Sequence, residues 1–164
     1  MQITRISNPR TGMISHLEID DARIVYRNFE GRGTDYNKEG DRNFAIVIPS
    51  QELAEELRED GWNVKIKEPK TPDEDVFMYL PVKLAFNDYG PNIWLHNRRV
   101  KRQLGPDTVG CLDRVRLASV DLDIRPYDWT RPNGDSGRSA WLKGLRANQA
   151  LDRFSDIDDE YYED

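Results

Sequence analysis

The stretch Ile19 to Pro49, IDDARIVYRNFEGRGTDYNKEGDRNFAIVIP, holds two apolar-aromatic runs, ARIVYRNF and NFAIVI, joined by a segment rich in Gly, Asp, Asn and charge. The joining segment is too polar to be buried, so the stretch reads as a strand, a long solvent-exposed loop and a second strand. In the first strand Ala22, Ile24 and Tyr26 alternate with Arg23, Val25 and Arg27. The side that carries Arg23 and Arg27 is expected to face ligand. In the second, Phe44, Ile46 and Ile48 share one face and Ala45 and Val47 the other, the pattern of a strand covered on both sides. Gly31, Gly33 and Gly40 punctuate a loop longer than a hairpin needs, and long loops on rigid scaffolds often carry function.

Downstream, Ser50 is placed to cap a helix over SQELAEELREDG, with Leu53, Ala54 and Leu57 as its apolar stripe and Gly61 as its left-handed stop. WNVKIK alternates Trp62, Val64 and Ile66 against Asn63, Lys65 and Lys67. VFMYLPVKLAF sets Met78, Leu80, Val82, Leu84 and Phe86 on one side, and Pro81 marks an edge or a bulge because it lacks a ladder donor. NIWLHN returns as its hairpin partner. GPDTVGCLDRV has room for one helical turn. VRLASVDLDIRPYDW and RSAWLKGLRANQ are the last strands; Ala140 and Leu142 are expected on one side of the final one and Trp141, Lys143 and Leu145 on the other. Residues 1–17 show no period of 2 or 3.6 and read as a flexible arm. Six or seven closely spaced strands with one inserted helix fit a mainly β, OB-fold-like antiparallel barrel over residues 18–150.

The chain has 164 residues and a net charge of -6. Seven carboxylates and one Arg between Asp152 and Asp164 account for all of it, so the preceding body is neutral and the acidity belongs to the tail. Residues 151–164 are therefore expected to be a disordered acidic tail. A single Cys111 excludes an internal disulfide, and with only His16 and His96 no Cys/His zinc site can be assembled. No cofactor or metal is expected. Apolar runs are too short for a membrane span, and the first twenty residues lack the centre of a signal peptide.

Rings interleaved with cations and amides suit stacking on bases while phosphates are held. Three groups have that composition. The first is Arg27, Phe29, Arg32, Tyr36 and Arg42 around the opening loop, with Tyr26 and Phe44 readable either as core or as stacking rings. The second is Trp94 followed by Arg98, Arg99, Lys101 and Arg102, the densest positive run in the chain. The third gathers Arg125, Tyr127, Trp129, Arg131, Arg138, Trp141 and Lys143 around one hairpin, with Trp129 expected to be exposed.

The series YRNF, GDRNF and DGWNVK, continued by YLPVKLAF, PNIWLHN and GRSAWLK, resembles a group of phage and prophage single-stranded DNA-binding proteins over residues 18–148. The resemblance implies an OB-fold protein, not an enzyme, that coats single-stranded DNA during phage replication or recombination in the cytoplasm of a bacterial host. The end of the tail, Asp158, Asp159, Glu160, Tyr161, Tyr162, Glu163 and Asp164, is similar to the acidic ends by which such proteins recruit replication or recombination partners. Two other readings stay open. In one, the same aromatics form a protein-binding module; in the other, Asp121 and Asp123, two apart on a strand, hold a divalent metal for a nuclease.

Overall fold

The computed structural model describes residues 1–150. Its elements follow in the order β1 (Gln2–Ser7), β2 (Ile14–Asp20), β3 (Ile24–Asn28), β4 (Arg42–Val47), α1 (Gln51–Glu59), β5 (Lys65–Lys67), β6 (Phe77–Leu84), β7 (Asn92–His96), β8 (Lys101–Leu104), a 3-10 turn (Val109–Asp113), β9 (Leu117–Thr130) and β10 (Ser136–Gln149). The fold is mainly β with one short helix, as the alternation requires. All the strands form one sheet with the path β1-β2-β9-β10-β6-β4-β3, to which β5 adds beside β6 and the β7-β8 hairpin beside β10. That path ends at β1 and β3, so the sheet is not closed. The expected acidic tail, including Asp158 to Asp164, lies outside the described residues. No helix among the described residues is long and apolar enough to cross a membrane.

β10 is the spine. One edge pairs with β9 over almost its whole length; the other runs parallel first to β6, at Ala140 and Trp141, and then to β7, from Gly144 to Asn148. The core is one cluster built from inward residues of these strands, among them Leu80, Val82, Ile93, Val120, Leu122, Ile124, Ala140, Leu142, Leu145 and Ala147. α1 follows its sequence signals: Ser50 Oγ accepts from Leu53 N at 3.2 Å, Ala54 and Leu57 are buried, and Gly61 has φ +96°. After Gly61 the chain forms a single bridge with β10, Trp62 to Arg138, and then pairs with β6 as β5. Segment 61–67 thus lies in the fork between β10 and β6.

The structure departs from the sequence reading in five places. NIWLHN, expected as the hairpin partner of β6, is β7, which runs parallel to β10 and forms its hairpin with β8 instead. Within residues 1–17, expected as a flexible arm, Gln2–Ser7 pairs with Ile14–Asp20 as a hairpin, and Arg5 bonds Asp60 at the end of α1 at 2.7 Å. Pro81 lies in an internal strand rather than at an edge; its position falls where the β6 edge passes from β5, paired through Tyr79, to β10, paired from Val82. In β3 a bulge between Val25 and Asn28 and a left-handed Tyr26 (φ +54°) break the alternation, so Arg27 turns toward the 3-10 turn and donates to Leu112 O and Val115 O, each at 2.8 Å. In β10 a bulge between Leu142 and Gly144 shifts the register by one residue. Leu145, expected to share a side with Trp141, is therefore buried.

Candidate nucleic-acid interface

Because residues paired across neighbouring strands project to the same side, the register states which side chains share the outer face. From β9 and β10 come Trp129 opposite Gly137, Tyr127 opposite Ser139 and Arg125 opposite Trp141. Trp141 is level with Lys83 of β6, and Lys83 with Asn43 of β4. Along β6 the same side continues through Pro81, Tyr79 and Phe77, with Lys65 opposite Tyr79 and Lys67 opposite Phe77. Tyr26 completes the row. Its ring meets Phe77 and Tyr79 nearly at right angles, with centroids 6.1 and 5.5 Å away, while Phe77 and Tyr79 stack at 5.6 Å.

One face therefore carries six rings, Tyr26, Phe77, Tyr79, Tyr127, Trp129 and Trp141, interspersed with Lys65, Lys67, Lys83, Arg125 and Arg131. Where β10 and β6 diverge, a groove of about 530 Å³ opens between Trp129, Arg131 and Gly137 on one wall and Asn63, Pro81 and Lys83 on the other. Trp129 lies flat on the backbone there: a Cβ at Gly137 would stand 2.4 Å from Trp129 Cζ2, and the Arg131 guanidinium sits 5.0 Å from the ring centre. This explains why Trp129, expected to be exposed, is half-buried.

Several residues read from the sequence as DNA contacts have structural work instead. Phe29 is 0 % exposed and stacks on Phe44 at 5.0 Å, so no base can reach it. Arg27 is held by the two carbonyls above. Arg42 donates to Phe29 O at 2.7 Å and Pro106 O at 3.0 Å and covers Phe86. Arg138 makes a two-pronged pair with Asp128, 2.7 and 3.2 Å, and lies over the buried Trp62 ring. Arg125 pairs in the same two-pronged way with Asp123, and the Lys143 amine is taken by Tyr89 O. Among these, Arg125 remains on the outer face, its charge offset by Asp123.

The polar loop is ordered by two asparagines. Asn28 Oδ1 accepts from Gly31 N and Arg32 N, and Asn37 Nδ2 donates to the carbonyls of Arg32, Lys38 and Asp41. Asn43 Nδ2 bonds Asn37 Oδ1 at 2.8 Å, which ties the loop to the sheet beside Lys83. Arg32 and Tyr36 are exposed on it. The second basic group stands elsewhere: Arg98 and Arg99 form the β7-β8 turn, capped by Asn97, and Lys101 and Arg102 follow on β8. Trp94, 38 % exposed, faces outward beside Gln103. Trp94 pairs with Arg146 near one end of β10 and Trp129 with Gly137 near the other, roughly 30 Å apart at about 3.3 Å per residue. The rings and cations thus divide into a continuous main face and a separate basic hairpin.

Asp121 and Asp123 do not form an open pair of ligands. Asp121 accepts from Asp21 N at 3.0 Å and from Arg146 at 2.7 Å, contacts that hold its carboxyl below the ordinary carboxylate range, the backbone bond first. Among the described residues no three His, Cys, Asp or Glu side chains stand together as a metal-holding group. The Cys111 thiol is half-buried in the 3-10 turn, and burial pushes its pKa up.

Phe77, Tyr79, Lys65, Lys67 and Lys83 were not among the contacts read from the sequence. Their signal is the period-2 row Phe77, Tyr79, Pro81, Lys83, the outward complement of the apolar row that identified β6.

An OB-like sheet with aromatic rings and lysines on one outer face has the architecture of proteins that bind single-stranded nucleic acid. The chain belongs to the family described as "Putative phage ssDNA-binding domain", whose model matches residues 7–159. Two solved structures share the fold. The C-terminally truncated single-stranded DNA-binding protein from bacteriophage Enc34 superposes with a TM-score of 0.54 at 12% identity, covering 93% of this chain and 97% of that one. A second structure of the single-stranded DNA-binding protein from bacteriophage Enc34 gives a TM-score of 0.51 at 14% identity, covering 98% of this chain and 99% of that one. No curated protein matches.

Proposed function

We propose that this protein binds single-stranded DNA with little sequence preference, without catalysing a reaction, during phage replication or recombination in the host cytoplasm. The observation that carries the reading is the outer face on which Trp129, Trp141, Tyr79 and Phe77 alternate with Lys83, Lys65 and Lys67 across β10, β6 and β5. Each base stacked on such a ring contributes about 1–3 kcal/mol whatever its identity, and the lysines hold the phosphates between. Exposed rings stack only on bases freed from a duplex, so a flexible single strand is the form that can lie along this face. Membership of the family and the likeness to the Enc34 proteins support the same partner.

The acidic segment 152–164 fits this role as a competitor for the lysines, and its Tyr161 and Tyr162 as anchors for a replication or recombination partner. An electrophoretic shift with oligo-dT, using duplex of the same length as competitor, tests the main reading. Retention of the complex against excess duplex is expected; equal or stronger binding of duplex overturns it.

A further inference from the structure

Tyr26 is built into a conformation that its own backbone resists. Its φ of +54° lies in the left-handed region that side chains with a Cβ avoid, yet the residue is neither Gly nor Asn and its ring is 56 % exposed. A buried ring could repay such strain with packing. An exposed one does so only in part, and backbone strain of this kind concentrates where a side chain must be aimed for function. Here the β3 bulge aims the ring outward, upright against the floor formed by Phe77 and Tyr79.

The result is a corner with a second wall supplied by the loop after β5. A cavity of about 360 Å³ is lined by Tyr26 and Phe77, by Lys67 and Lys70, and by Glu68, Pro69, Glu74 and Asp75. Glu74 is fixed there by accepting from Lys70 N at 3.0 Å. The lining has a division of charge: three carboxylates at the loop side disfavour a phosphate inside the corner, whereas Lys67 and the neighbouring Lys65 lie on the sheet leading to it. A flat, uncharged heteroaromatic ring fits the corner that Tyr26 and Phe77 form with the loop; its phosphate belongs outside, on the lysines.

Resting on the single-strand reading above, we infer that the Tyr26–Phe77 corner is a terminal base pocket, which takes one nucleobase of a strand already seated on the Trp129 groove. Along β6 the two subsites are separated by the six residue steps from Lys83 to Phe77, roughly 20 Å at about 3.3 Å per step. Only an oligonucleotide long enough to cross that distance engages both.

The test is a fluorescence titration of wild-type protein, Tyr26→Gly and Tyr26→Phe with oligo-dT of graded length, alongside thermal melts. Glycine accepts the left-handed backbone, so Tyr26→Gly melts at or above the wild-type temperature. It binds short oligomers as wild type does, and longer ones about 5- to 160-fold more weakly, the loss of one stacked base. Tyr26→Phe keeps the ring and the affinity at every length. If wild-type protein binds oligo-dT and Tyr26→Gly matches it at all lengths, the pocket is refuted and the broader reading stands. If Tyr26→Gly melts well below wild type, Tyr26 is a packing residue and the inference fails. Absence of oligo-dT binding by wild type overturns the broader reading itself.

Discussion

Salt dependence separates cations that can meet phosphate from those already committed within the fold. On the outer face Lys65, Lys67, Lys83 and Arg131 have no ion-pair partner among the described residues, whereas Arg125 and Arg138 are held by Asp123 and Asp128. For single strands the logarithm of the binding constant falls with the logarithm of salt by about 0.7 per phosphate contact, so four contacts give a slope of about -2.8 and roughly 50-fold weaker binding between 50 and 200 mM salt. Lys83→Gln removes one contact, and its slope becomes about -2.1, roughly an 18-fold loss over the same range. Arg138→Gln should leave the slope at the wild-type value, because that guanidinium is spent on Asp128 and Trp62; its cost appears in the melting temperature.

The assay is tryptophan quenching by an oligo-dT that covers only the main face, titrated at four or more salt concentrations. Extending the oligomer to reach the β7-β8 hairpin adds Lys101 and Arg102, which steepens the slope toward about -4.2 if both hold phosphate. Equal changes of slope for Lys83→Gln and Arg138→Gln would refute the division of cations drawn from the structure. A wild-type slope near zero would refute phosphate contact altogether.

Other substitutions separate architecture from binding. Gly137→Ala places a methyl group where the Trp129 ring now lies, so the indole and Arg131 must leave the groove; weaker oligo-dT binding is expected in titrations, with a smaller change in melting temperature. Phe29→Ala removes a fully buried ring stacked on Phe44 and should cost about 3–5 kcal/mol in chemical denaturation, while the salt slope of the folded protein stays unchanged. Asp121 has a lowered pKa, so its contribution to stability is complete above the ordinary carboxylate range, near pH 4, and is lost as pH falls through the lowered value. Melts between neutral pH and about pH 3 should show a smaller acid loss for Asp121→Asn than for wild type.

The sequence carried the elements well and the destinations of its arginines poorly, for a physical reason. Helix α1 is specified by local chemistry, Ser50 at one end and Gly61 at the other, and β6 by the uninterrupted row Met78, Leu80, Val82 and Leu84. Such signals act within a few residues. Both partners of Arg27 and one of the two partners of Arg42, by contrast, are carbonyls 64 to 88 residues away on the segment around the 3-10 turn, and no local pattern announces them. Face assignment failed where a bulge inserted one residue. After Lys143 a strict alternation puts Leu145 outside, and only the observed register returns it to the core. The same event at Tyr26 and Arg27 exchanged a tyrosine and an arginine between solvent and interior. Bulges have no fixed residue signature here, since neither Tyr26 nor Lys143 is a glycine.

The neutral charge of the first 151 residues then ceases to argue against a polyanionic partner. Neutrality is an average over two unlike populations. Asp121, Asp123 and Asp128 offset Arg146, Arg125 and Arg138 at hydrogen-bond distance, and those pairs look nearly neutral from outside. Among the described residues the lysines of β5 and β6 form no such ion pair, although Lys67 shares its corner with Glu68, Glu74 and Asp75. At about 0.1 M salt, charges more than roughly 10 Å apart are largely screened from one another. A strand lying along Phe77, Tyr79, Pro81 and Lys83 therefore responds to Lys65, Lys67 and Lys83 at close range and is little affected by carboxylates on distant surfaces. Net charge governs long-range encounter, but the arrangement of paired and unpaired groups within a few ångströms governs whether the bound strand stays.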